Sequence, residues 1–355
     1  MVCKRFGVKS LKDLYAVRNP WNSRDVAVRI LVTGATGFVG AAVTRRLLTA
    51  GHEVRVLVRP TSVLTNIAGL PVEKRIGDLR DPASLQAAMD RIDALFHVAA
   101  DYRIWAPNPQ ELLDSNVIGT ANIMEAALAA GVGRVVYCSS VAAIVPKPYG
   151  GIADEQVEGT EGEMVGLYKR SKFLAEAEVI RRVTEKGLPA VIVNPSAPMG
   201  PRDVKPTPTG RIIVDAARGK IPVYVDTGLN VVHVDDVAEG HMLAYEKGKI
   251  GERYILGGEN LTLKELLTIV AEMTGHKPPK IQIPHAVTIP IGYIAETWCR
   301  VFGGEPIATG DAARMARKKM FYSSDKAKRD LGYAPRPARQ AIADSLTWFK
   351  ENGYI

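Results

Sequence analysis

The chain has 355 residues and a net charge of +8 at pH 7, enough length for one large or two smaller globular domains. No apolar run approaches the roughly 20 residues that span a bilayer, and no apolar signal core stands near the N-terminus, so neither a spanning helix nor export is expected. Cys3, Cys138 and Cys299 are odd in number and widely spaced, without a metal-ligand pattern. They fit a reducing cytoplasm and no metal site.

Half of the positive excess precedes the first predicted strand. Residues 1–27 carry Lys4, Arg5, Lys9, Lys12, Arg18 and Arg24 against Asp13 and Asp25. This leader, expected to be loosely ordered, either solubilises the chain or gives it weak peripheral attraction to anionic lipid headgroups. A second basic cluster, Arg314, Arg317, Lys318 and Lys319, comes late. No reader motif or aromatic–basic stacking pattern accompanies either cluster, so nucleic acid is not an expected partner.

In Arg29–Gly40 the apolar run Ile30–Val32 stops at Thr33 and gives way to Gly34, Gly37 and Gly40. Val43, Leu47 and Leu48 then fall at helical spacing until Gly51. Strand, glycine turn and helix form the opening of a dinucleotide-binding unit. Gly34 permits the turn, Gly37 lets a pyrophosphate approach the backbone, and Gly40 allows close packing of helix on strand. The N–H groups around Thr36, Gly37, Phe38 and Val39 face the phosphates.

Strands are expected at His52–Val58, Pro71–Ile76, Ala94–Val98, Arg134–Cys138 and Pro189–Val193, with long helices at Pro109–Ala130 and Gly162–Lys186. The alternation predicts an α/β fold, a doubly wound parallel sheet of Rossmann type over residues 28–195, with ligands at the carboxyl ends of its strands. Beyond Asn194 the prolines Pro195, Pro198, Pro201, Pro206 and Pro208 predict an irregular loop. Helical patterns return at Arg211–Arg218, Asp235–Lys247, Thr262–Thr274, His285–Phe302, Asp311–Arg317 and Ala338–Asn352, with strands near Asn230–His233 and Arg253–Leu256. Residues 196–355 thus read as a smaller, mostly helical substrate-binding lobe, with residues of about 230–248 returning to the Rossmann domain.

Three side chains carry the chemistry. Tyr168 and Lys172 stand four apart on one predicted helix and share a face. A nearby ammonium favours the phenolate, which otherwise forms only near pH 10. Ser140, at the end of the fifth strand, can hold a carbonyl or alcohol oxygen facing the tyrosine. The same residues also read as a strand-end hydroxyl capping backbone and a solvated helix charge. At the end of the second strand, Val58 is followed by Arg59, where a carboxylate would bind a ribose 2′-hydroxyl. An arginine fork suits a 2′-phosphate, so NADP(H) is favoured over NAD(H); an exposed arginine among neutral neighbours gives the same pattern.

These features resemble the extended branch of the short-chain dehydrogenase/reductase superfamily, from Val28 to the C-terminus. The landmarks are TGATGFVG at Thr33–Gly40, GDLRD at Gly77–Asp81, HVAA at His97–Ala100, NVIGT at Asn116–Thr120, YCSS at Tyr137–Ser140, YKRSK at Tyr168–Lys172, NPSAPMGP at Asn194–Pro201 and VHVDDVA at Val232–Ala238. The resemblance implies Tyr168 as acid–base, Lys172 as its activator and a ribose ligand, and Ser140 as oxygen holder. It places Asp78 and Leu79 by the adenine, Ala99, Ala100 and Pro195 along the cofactor, and Asn116 as a structural helix residue. No acidic pair follows Ser140, so dehydration is not expected. VLVRP and FHVAADYRIW look like dihydroflavonol 4-reductase relatives. YRIWAPNP, NPSAPMGPRDVKPTPTGRIIVDAARGK and YILGGENLTLKE resemble bacterial hopanoid-associated sugar epimerases.

The expected substrate contacts are Asp101, Tyr102, Arg103 and Trp105, an aromatic–arginine group suited to a sugar ring or polyol, or a lid packed on its own domain. Arg202 and Lys205 either meet a phosphate or are exposed loop charges. Ala286–Phe302 has a broad apolar face, read as buried core or as a lipid-facing patch. The function expected is an NADP(H)-dependent oxidoreductase or epimerase acting on a secondary alcohol or ketone of a sugar-like or lipid-linked small molecule, connected with hopanoid lipids. The alternatives are a dihydroflavonol-reductase-like ketone reductase and a non-catalytic NAD(P) sensor. The two long helices resemble the dimer-forming pair of the superfamily, which implies a C2 homodimer.

Overall fold

The computed structural model describes residues 27–103, 108–302 and 309–355. All but the last residue of the basic leader lies outside them. The chain enters at β1 (Arg29–Thr33), passes through α1 (Phe38–Thr49), β2 (Glu53–Val58) and β3 (Glu73–Ile76), and returns through α2 (Pro82–Met89) to β4 (Ala94–His97). A long helix α3 follows, built from Pro109–Leu113, a π-helical turn at Asp114–Ile118 and Gly119–Ala129. Then come β5 (Arg134–Cys138), α4 (Leu167–Lys186) and β6 (Ala190–Pro195).

These strands and a later one, β10 (Arg253–Leu256), form a seven-stranded sheet in the order β10-β6-β5-β4-β1-β2-β3. Every pairing in it is parallel. Side chains alternate between its faces. Ile30 and Val32 belong to the same core as Val43 and Leu47 of α1, while Leu31 between them belongs to the core of Leu85, Met89, Ile123 and Val179 on the other side. Both faces are therefore covered, and the strands read as continuous apolar runs. The strand order switches sides between β1 and β4: β2 and β3 lie beyond β1 on one side, and β4, β5 and β6 on the other. Ligands of open α/β sheets bind at such a switch point.

The second half interleaves β7 (Ala197–Met199), α5 (Pro208–Ala217), β8 (Val223–Tyr224), β9 (Gly228–His233), α6 (Val234–Lys247), β11 (Glu259–Thr262), α7 (Leu263–Thr274), β12 (Ile281–Gln282), α8 (His285–Phe302), α9 (Gly310–Met315), β13 (Lys319–Met320), α10 (Asp325–Leu331) and α11 (Ala338–Glu351). Met199, Ile213, Leu266, Val270, Ile342 and Phe349 give this half its own core. By contrast, α6 lies on α1 of the large sheet, pinned by an Arg46–Glu239 ion pair at 2.5 Å.

Three local expectations change. The helix expected from Gly162 starts at Leu167, because Gly166 has φ +83° and Glu161–Glu163 forms a separate turn closed by a Thr160–Glu163 capping box. The proline segment is not wholly irregular. Pro195 ends β6, Pro198 sits in β7, which among the described residues pairs only with β9, and Pro208 opens α5, all positions where a missing N–H costs little. The apolar face of α8 points outward rather than into the core: Val287, Ile291, Ile294 and Trp298 are exposed.

Candidate active site

Gly34 has φ +75°, a conformation that L side chains rarely adopt. A Cβ there would stand 2.6 Å from the Ala99 nitrogen beyond β4. A side chain at Gly40 would run into the Gly34 carbonyl. Gly40, inside α1, thus lets the helix approach the backbone at the end of β1. The Gly37 N–H donates to the Gly34 carbonyl at 2.9 Å, and Gly37 is the N-cap of α1 without a side-chain cap or a first-turn acid. The N–H groups of Phe38 and Val39 are thus left for an anion. The Thr36 carbonyl accepts from Asn66 at 3.2 Å, and the Ala99 N–H donates to the Thr33 hydroxyl at 3.2 Å. A tight cradle bounded by Gly34, Gly37 and the Ala99–Ala100 segment fits a dinucleotide.

Just beyond β3, Asp78 pairs with Arg80 at 2.8 Å. That hydrogen bond holds its carboxyl down at about 2, with further help from the charge of Arg59. The Arg59 N–H donates to the Ser62 hydroxyl at 3.0 Å, and its guanidinium makes no ion pair among the described residues. The Leu79 carbonyl accepts from Asn122 at 2.9 Å, and the Leu79 side chain packs where Gly119 leaves room.

Ser140, Tyr168 and Lys172 converge at the carboxyl edge of β5. Ser140 caps the short turn Val141–Ala143 by accepting from the Ala142 N–H at 3.1 Å, and it also hydrogen-bonds the Tyr168 side chain. Burial pushes the Tyr168 phenol up to about 12, and the Ser140 bond only partly offsets this. Lys172 is buried; its Nζ donates to the Cys138 carbonyl at 3.0 Å and lies 5.3 Å from the centre of the Tyr137 ring. Burial lowers its pKa, against a raising influence of Cys138 and Glu176. The lowering of the tyrosine by the lysine expected from the spacing is therefore absent in this geometry, where desolvation dominates.

A supporting network surrounds the three residues. Asn194, near the end of β6, donates to the Ser140 carbonyl at 3.0 Å and to Glu176 at 2.8 Å. Glu176 is buried and pairs with Arg253 of β10 at 3.2 Å. Asn116, in the π turn of α3, accepts from the Asp101 N–H at 2.7 Å and donates to the Asp101 carbonyl at 2.8 Å and to Ser171 at 2.9 Å. Thr33, His97 and Thr120 form a buried chain, with burial pushing His97 down to about 3. The sequence reading missed Glu176, although its position four residues after Lys172 puts it on the same helix face.

The expected substrate residues divide. Arg103 is held by Asp101 at 2.6 Å, and Tyr102 is exposed next to them. Trp105 lies outside the described residues. Arg202, at φ +76°, pairs with Asp235 at 2.5 Å. Its neighbour Asp203, also missed from sequence, is buried and accepts from the Thr207 N–H at 2.9 Å and the Thr207 hydroxyl at 2.8 Å. Burial pushes its carboxyl up to about 6.

Sheet, glycine cradle and edge cluster together define a Rossmann-type nucleotide-binding oxidoreductase. The chain belongs to the NAD dependent epimerase/dehydratase family, whose model matches residues 30–257, within the extended short-chain dehydrogenases/reductases. It is 43% identical to a putative dihydroflavonol 4-reductase of Synechocystis, over 91% of this chain and 95% of that one. It is 37% identical to sterol demethylase protein B of Methylococcus capsulatus, over 92% and 99%. Among solved structures, gox2253 matches with TM-score 0.84 and 54% identity, over 92% and 99% of the two chains. A nucleoside-diphosphate-sugar epimerase from Pseudomonas aeruginosa matches with TM-score 0.78 and 27% identity, over 93% and 100%.

Proposed function

We propose that this chain interconverts a secondary alcohol and a ketone with NADP(H), which supplies or accepts the hydride when bound. The observation that carries this reading is the convergence of Ser140, Tyr168 and Lys172 beside the glycine cradle. The Ser140 hydroxyl holds the substrate oxygen. Tyr168, protonated at neutral pH in this buried setting, donates to a ketone oxygen in reduction and takes the proton back in oxidation. Lys172, whose Nζ donates to the Cys138 carbonyl, would hold the ribose of the nucleotide. Asn194 and Glu176 fix Ser140 and the lower half of α4. The cradle at Gly34, Thr36, Gly37, Phe38 and Val39 takes the pyrophosphate, Asp78 and Leu79 the adenine side, and Arg59 a 2′-phosphate.

The substrate proposed is a sugar-like or lipid-linked molecule of the hopanoid kind, met by Asp101, Tyr102, Arg103, Trp105 and Arg202. The cytoplasm is the proposed compartment. Exposed Ile118 on α3 and Ile180 on α4 support the proposal of a homodimer through these helices. A second reading, a net ketone reductase, is supported by the 43% identity to the putative dihydroflavonol 4-reductase and by 30% identity to a 2-alkyl-3-oxoalkanoate reductase of Stenotrophomonas maltophilia.

The test is to denature the purified protein and identify any released nucleotide by mass and absorbance. Retained NADP at near one per chain supports an epimerase, which never needs to release it. An empty protein that binds NADPH and oxidises it with a ketone supports the net reductase. A protein that binds neither NADP(H) nor NAD(H) overturns both readings.

A further inference from the structure

The helix α8 presents its residues to solvent the wrong way round. Val287, Ile291, Ile294 and Trp298 recur at intervals of four, three and four and so form one stripe. Ile291 is 54% exposed, Ile294 67% and Trp298 63%. No exposed position of the helix between Ala286 and Trp298 carries a charge. Its acid, Glu296, instead faces the protein and accepts from the Gly310 N–H of α9 at 3.0 Å. At Gly292 the helix approaches α9 so closely that a Cβ would stand 2.7 Å from the Thr309 carbonyl oxygen. Packing has therefore covered the side that carries Thr288, Gly292 and Glu296 and left a broad apolar stripe outward, where an ordinary surface helix is polar.

We propose that this face is a docking surface for a lipid bilayer carrying anionic headgroups, against which the protein lies without crossing. Charge around the stripe supports that occupant. Exposed Lys277 and Lys280 precede the helix, and exposed Arg314 and Arg317 stand on and just after α9, which packs against it. Of these four, only Arg314 has an ion pair among the described residues, with Asp311 at 3.6 Å. Apolar and aromatic side chains on a basic surface match the acyl–headgroup boundary and its negative potential. A second copy of the chain fits less well, because a two-fold contact through this face brings two basic rims together in a protein of net charge +8. No described helix is long and apolar enough to cross a membrane, so the contact is peripheral. This inference stands apart from the catalytic reading.

The experiment is flotation of the full-length protein with phosphatidylcholine vesicles and with vesicles of phosphatidylcholine mixed with phosphatidylglycerol, at low and high salt. The expected result is binding to the mixed vesicles that weakens with salt. Ile291→Asp/Ile294→Asp should lower partitioning by at least about tenfold while leaving the thermal midpoint unchanged. Arg314→Glu/Arg317→Glu should abolish the preference for phosphatidylglycerol. No flotation with either vesicle, or equal flotation of all three proteins, overturns the proposal. So does a wild-type dimer that Ile291→Asp/Ile294→Asp converts to monomers, because a second copy then covers the face.

Discussion

Lys172 donates to the Cys138 carbonyl at 3.0 Å, and burial, not the lysine, sets the state of Tyr168. With the phenol pushed up to about 12, Tyr168 is a proton donor throughout the neutral range. Reduction of a ketone should then have a kcat/KM that is flat over roughly pH 6 to 9, while oxidation of the alcohol rises about tenfold per pH unit over the same window. Tyr168→Phe should lower both directions by about a hundred- to ten-thousandfold with NADPH binding retained. Stopped-flow pH profiles of wild type and variant check this. A flat oxidation profile would place the working pKa of the tyrosine below the window.

Arg59 follows β2 with no ion pair among the described residues, close enough for its charge to act on Asp78. Replacing it removes a charge-assisted hydrogen bond to a 2′-phosphate and nothing from NADH. Arg59→Ala should weaken NADPH by about ten- to a hundredfold and leave NADH within about twofold. Calorimetric titration with both nucleotides measures it, and an equal loss for the two would remove Arg59 from the 2′-phosphate.

Glu176 joins Asn194 to Arg253, and so ties the Ser140 strand end to the sheet edge at β10. It touches no reacting atom, so its effect is positional. Glu176→Ala removes the charge partner of half-buried Arg253, which keeps its bonds to the Glu155 and Val157 carbonyls, and takes a buried acceptor from Asn194, so it should lower stability by about 1–2 kcal/mol. Glu176→Gln keeps the acceptor for Asn194 and should restore most of kcat while KM stays close to wild type. Urea unfolding and steady-state kinetics separate the two effects.

Asp203 is a buried carboxyl raised from an ordinary value near 3.8 to about 6. Below pH 4 it is protonated both folded and unfolded and adds no pH dependence. Between about 4 and 6 the unfolded chain releases the proton and the folded one keeps it, so stability falls as pH rises through that window. Above it the loss is complete, on the order of 3 kcal/mol. Asp203→Asn should therefore gain on wild type as pH is raised from 4 to 7, which thermal melts at both pH values would register. Parallel melting curves at the two pH values would show that Asp203 ionises freely.

Read alone, the sequence determined the strand–glycine–helix opening, the alternation of parallel strands and helices along the chain, and the helix face that Tyr168 shares with Lys172. These follow from short-range spacing: Gly34 must reach φ +75° within one turn, buried strands are continuous apolar runs, and residues four apart share a helix face. Only the tertiary structure decided what long-range packing controls. Arg202 is held by Asp235 across the loop, and Glu176 gains its role from a strand 77 residues away. The same holds for α8. Its apolar periodicity was legible, but periodicity gives a face and not its direction, and the direction came from Gly292 and Glu296 docking on α9. Burial likewise reversed the expected shift of Tyr168, because desolvation depends on neighbours that no spacing rule counts.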